Sequence, residues 1–75
     1  MKKVKIQWID SKASSNEWEY LDGLEPLPPV SCESVGYVIE DAPKYKTIAH
    51  TVSGDQVLGR ITIPKVCITK ITVLK

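Results

Sequence analysis

The chain contains no phenylalanine, only two cysteines and a single histidine, and its longest uninterrupted apolar runs, such as Tyr37-Val38-Ile39, are three residues long. Each scarcity excludes something. A disulfide-stapled secreted domain carries a dense cysteine framework and a secretory signal pattern. Cys32 and Cys67 form no such framework, so both read as buried free thiols in a reducing compartment, behaving as small hydrophobes. A structural zinc site takes about four Cys, His or acidic ligands at short spacings, and two distant cysteines with one histidine do not supply them. A membrane-spanning helix needs roughly 20 apolar residues, far beyond any run here. No Gly-Lys-Ser/Thr sequence forms a phosphate-cradling loop, since Gly54 and Gly59 are isolated. The expectations are no metal, no cofactor, no membrane association and a cytoplasmic location.

Seventy-five residues make one domain, residues 1–75, with a thin core, since chains of this size bury only about 60 % of their unfolded surface. Small domains that lack disulfides and metals draw stability from a partner subunit, and a homo-oligomer is expected. The net charge of +1 argues against a duplex-DNA binder, but the charges are segregated. Between Ile9 and Pro43 lie eight acidic residues and one basic, Lys12; outside that span lie nine basic residues and only Asp55. This asymmetry reads either as an ordinary solvated surface or as head-to-tail association, with the acidic segment of one copy against the basic strands of the next.

Five strands are expected. Val4, Ile6 and Trp8 alternate with Lys3, Lys5 and Gln7, the period of a strand buried on one face, which places Trp8 in the core. Residues 30–40 form a second strand whose alternation breaks at Val35-Gly36-Tyr37-Val38-Ile39, and the glycine suggests a bulge or bend. The turns at 41–44 and 53–56 bracket a third strand, 45–52, and open a fourth, 57–63. Pro64 stops that ladder because it has no N–H to donate. A 3₁₀ turn follows, and Ile71 and Val73 resume a fifth strand. Short strands with almost no helix predict an all-β, strongly bent five-stranded small barrel, in which closure protects the edges.

Residues 10–29 differ in kind. Asn16 with Glu19 is compatible with a capping box opening a short helical turn through 17–22, which Gly23 would end. Pro26, Pro28 and Pro29 then stiffen the chain; their spacing also fits a polyproline ligand, with a stiff connector as the plainer reading. A loop this long in a small domain is usually functional, and this one carries Trp18, Tyr20 and several carboxylates. The alternative is that Trp18 and Leu21 fold back to plug an open end of the core. His50 sits in a strand pattern with no nucleophile or orienting acid spaced to make it a general base, so no enzymatic activity is expected.

The bent second strand, the hairpin, the corner Ile63-Pro-x-x-x-Ile68 and the ending Ile71-x-x-Leu74 resemble small barrels of the Sm-like and Src-homology (SH3) type. That resemblance implies rings built by pairing the fourth strand of one copy with the fifth of the next, and in many Sm-like proteins RNA binding. The loops lack Sm-like nucleotide-binding signatures, so only the architecture carries over. A second resemblance spans nearly the whole chain. Val4-x-x-x-Trp8-Ile-Asp-Ser11, Trp18-x-Tyr20-Leu21, Val30-x-x-x-Ser34-Val-Gly-Tyr37, Ile48-Ala-His50 and Ile63-Pro-Lys-x-x-Ile68-x-Lys-Ile-x-x-Leu74 are similar to short proteins of tailed phages and prophages. It implies a phage-encoded protein in a bacterial host cell, and such proteins include host-defence inhibitors that sequester nucleotide signals as oligomers.

Three functions follow as expectations. A binder of a small anionic, nucleotide-like ligand needs π-faces and fixed cations; Trp18, Tyr20 and Tyr45 offer the first and Lys46, Arg60 and Lys65 the second. A single-stranded nucleic-acid module would use the same residue types along a groove, although sparse arginine counts against it. An interaction module would dock its acidic aromatic loop, 10–29, on a host or virion protein.

Overall fold

A computed structural model describes residues 1–75. It contains strands β1 (Lys3–Asp10), β2 (Val30–Asp41), β3 (Tyr45–Ser53), β4 (Gln56–Pro64) and β5 (Ile68–Leu74), with one 3₁₀ turn, Lys65–Cys67, between β4 and β5. All five strands lie in one antiparallel sheet of order β4-β3-β2-β1-β5.

The expected strands therefore form, within a residue or two at most ends. The turn at Ala42–Lys44 is closed by the Ala42 N–H donating to the Tyr45 carbonyl at 3.0 Å. Gly54 lies at φ +58° in the tight connection between Ser53 and Gln56. β2 is long because it serves two partners: residues 30–37 pair with β1, and residues 37–41 pair with β3. The break in its alternation corresponds to a register shift between Val38 and Glu40. Gly36 itself stays in the β1 ladder opposite Val4.

The sheet is strongly curled. β4 and β5 occupy opposite edges, which in a flat five-stranded sheet would stand about 19 Å apart. Yet the chain passes from Pro64 to Ile68 through three residues wound as a 3₁₀ turn, a path of roughly 8 Å at 2 Å per residue. The curl brings β1 over β3 and β4, and the core is the meeting of Val4 and Ile6 with Ile48 and Ile63. Trp8, Val38, Cys67 and Ile68 pack around it. Trp8 is half-buried, its indole N–H donating to Ser34 Oγ at 3.0 Å. Both cysteines are free and half-buried rather than buried outright.

Two expectations are corrected. The sheet does not close: β4 pairs only with β3 and β5 only with β1, so each keeps a free edge. The loop holds no helical turn at 17–22, only bends and a turn at Asp22–Gly23, and neither Asn16 nor Glu19 makes a capping hydrogen bond. An isolated helical turn fixes several residues for one hydrogen bond and needs a packed face to offset that cost; this segment has none.

Candidate functional site

Every residue from Ser11 to Pro29 is exposed. Trp18 is fully exposed, Tyr20 is 91 % and Leu21 90 % exposed, and Leu24 and Leu27 are half exposed. The only hydrogen bond at the root of this arm is from the Ser11 N–H to Asp10 Oδ1, 2.8 Å. Its two shallow grooves are lined by arm residues alone, one by Trp18, Leu21 and Leu24 among others, the second by Tyr20, Leu24 and Leu27. Trp18 and Leu21 therefore do not plug the core. The molecule measures 54 × 22 × 22 Å with a radius of gyration of 16.3 Å, against about 11 Å for a compact chain of this length. Its accessible surface is 6240 Å², against about 4,600 Å² for a compact monomer of this mass.

Composition explains why the arm stays out. It carries Glu17, Glu19, Asp22 and Glu25 against Lys12, a net charge of −3, interleaved with its aromatic and leucine residues. Folding the apolar side chains onto the sheet would bring alternate carboxylates with them, and an unpaired buried charge is costly. Three prolines near the C-terminal root fix an extended course.

The six residues selected from sequence fall in three places. Trp18 and Tyr20 stand on the arm. Tyr45, Lys46 and Lys65 gather at the turn between β2 and β3, where the Lys65 N–H also donates to the Lys44 carbonyl at 2.9 Å. There Asp41 accepts Lys65 Nζ at 2.6 Å and faces Lys46 Nζ at 3.7 Å. Both lysines are thus engaged by one carboxylate. Hydrogen bonding with the neighbouring Glu40 carboxylate, and then its charge, hold the Tyr45 phenol above the ordinary tyrosine pKa. Sequence reasoning missed Asp41; its place opposite Lys46 follows from the hairpin register, whereas Lys65 has no local signal linking it to that turn.

Arg60 stands apart on β4. It lines a groove of about 410 Å³ with Ser34, Val35, Ile48, His50, Gly59 and Ile61, and no carboxylate lies within ion-pair distance of it. His50 forms one wall, its Nδ1 hydrogen-bonded to Thr51 Oγ1 at 2.7 Å. Its ring covers Gly59, which sits at φ +76°, and a β-carbon at that position would overlap the imidazole. The glycine thus meets a backbone need and a packing need at once.

The Lys65 hydrogen bond chiefly holds the Asp41 carboxyl below its ordinary pKa of 3.8, with the nearby Lys46 charge adding to it. A carboxyl whose pKa is lower folded than unfolded contributes stability that is complete above about pH 4 and is lost as pH falls through the folded value. Asp41→Asn is therefore expected to lower the melting temperature at pH 7 and to lower it less at pH 2. The exposed site makes the neutral-pH effect small. An equal loss at both pH values would show that the ion pairs contribute nothing. No protein-family model, curated protein or solved structure matches this chain.

Proposed function

We propose that this is a non-enzymatic binding protein whose curled sheet is a scaffold and whose acidic, aromatic arm, residues 11–29, docks on a protein surface. The exposure of Trp18, Tyr20 and Leu21 on a segment with no contact to the core carries this reading. Large aromatic side chains dominate binding energy at protein interfaces when a partner desolvates them, and the surrounding carboxylates suit a basic partner surface. The phage resemblance adds a bacterial host cell as the setting.

The test places a photo-crosslinking amino acid at Tyr20 in the producing cells. A discrete adduct is expected, and Trp18→Ala should weaken its formation at least tenfold, since an interface tryptophan of this kind is worth about 2 kcal/mol or more. An adduct unaffected by Trp18→Ala, or none at all, would remove the arm as a docking element.

A second reading rests on Arg60. An arginine without a carboxylate partner, at the rim of an open groove that His50 and Ser34 also line, suits a phosphate-bearing, nucleotide-like ligand. Such a ligand at 100-fold above its Kd would add about 2.7 kcal/mol of stability by mass action, an effect that Arg60→Ala should abolish.

A further inference from the structure

On the reading that the arm is the docking element, we infer that its partner is a second copy of this chain, with residues 17–21 added as a strand along that copy's free β4 edge. Five observations converge. β4 is hydrogen-bonded on one side only, and an open edge is a template for an extended segment. The edge is apolar: Leu58 is 65 % exposed, and Val57 and Ile61 are also exposed.

The two faces of that edge match the two faces of the arm. Leu58, Arg60 and Thr62 stand opposite Thr51, Ala49 and Thr47 and so share one face of the sheet. Val57, Ile61 and Ile63 stand opposite Val52, Ile48 and Lys46 and share the other. In an extended segment alternate side chains point to opposite faces, so 17–21 presents Trp18 and Tyr20 on one side and Glu17, Glu19 and Leu21 on the other. Seated on β4 with the aromatics on the face of Val57, Gly59 and Ile61, it brings Glu17 and Glu19 to the Arg60 and Leu58 face. Arg60 is the strand's one cation and lacks a carboxylate of its own.

Charge and area agree with this placement. The arm carries −3, which leaves +4 on the remainder of a chain of net +1. The surface of each chain beyond that of a compact monomer is roughly 1,600 Å², against about 800 Å² contributed by each partner to a standard stable interface. Each copy offers one arm and one β4 edge, so reciprocal exchange between copies closes into a symmetric assembly that uses every arm and every β4 edge and leaves the β5 edge open.

The experiment is native mass spectrometry and sedimentation of the full chain, with two variants of exposed residues that leave the core untouched. One carries Glu17→Lys and Glu19→Lys, the other Arg60→Glu. The wild type is expected to be an oligomer, and each variant to self-associate at least tenfold more weakly. An equimolar mixture of the two variants, or a chain carrying all three substitutions, is expected to recover the assembly, because arm and edge are again opposite in charge. A wild type that stays monomeric, or an oligomer indifferent to both variants, overturns the inference. A monomer whose Tyr20 crosslinker still captures a different protein overturns self-docking alone and leaves the arm as a docking element; a monomer that captures nothing removes both.

Discussion

Truncating Ile6 to alanine is expected to cost about 2–5 kcal/mol, the range for deleting a buried aliphatic side chain when the surroundings relax incompletely. Ile6 is completely buried, stands opposite Ser34 and Ile71 in its two ladders, and meets Val4, Ile48 and Ile63 in the core. A domain of this length is worth about 4–11 kcal/mol in total, so this one residue supports a large share of the fold. The core is thin enough that little else can compensate: its four closely packed members are joined only by partly buried neighbours. Urea unfolding monitored by tryptophan fluorescence would measure the loss. Val66→Ala, at an exposed position of the 3₁₀ turn, serves as the control and should stay within about 0.5 kcal/mol of the parent. An Ile6→Ala chain that loses less than 1 kcal/mol would mean that the curled sheet is not what holds the chain together.

The local part of this architecture was legible in the sequence, and the collective part was not. The alternation of Val4, Ile6 and Trp8 identifies β1, and the turn residues at 41–44 and 53–56 place both hairpins, because period and turn chemistry depend on a few neighbouring residues. Pro64 marks the end of β4 for the same reason. Whether β4 reaches β5 depends on the summed twist and curl of five strands, for which no short motif stands, and the expected closure did not occur. The helical turn at 17–22 was a local signal without tertiary support. Lys46 and Lys65 looked like free cations because Asp41 meets Lys65 only once β4 and the 3₁₀ turn have folded back onto the first hairpin. Arg60, Trp18 and Tyr20 were legible as residue types suited to binding, while their separation within one chain was not.

Gly36→Ala is expected to destabilise the fold by about 1–3 kcal/mol, the cost of forcing extra volume into a packed core, although the substitution adds one methyl group to a residue with no positive φ. A β-carbon built there lies 2.7 Å from the Ala49 carbonyl oxygen and 3.2 Å from Ile48 Cβ. The first neighbour is backbone, fixed on one side by pairing with β2 and on the other by pairing with β4, so no rotamer change can clear it. β3 would have to move away from β2, and with it the buried Ile48, Ala49 and Thr47 together with the Thr47–Thr62 hydroxyl hydrogen bond of 2.7 Å. The contrast with Gly59 makes the origin testable. At Gly59 the obstruction is the His50 ring, a side chain that His50→Ala removes, leaving the left-handed backbone as the residual cost. At Gly36 truncating the side-chain neighbour, Ile48→Ala, removes no part of the backbone clash and adds a cavity. The Gly36→Ala/Ile48→Ala chain should therefore be at least as unstable as the sum of its single changes when compared in a double-mutant cycle. Because alanine keeps the Ile48 Cβ, recovery of stability in that double variant would locate the clash at Ile48 atoms beyond Cβ and show that β2 and β3 are not held in backbone contact at Gly36.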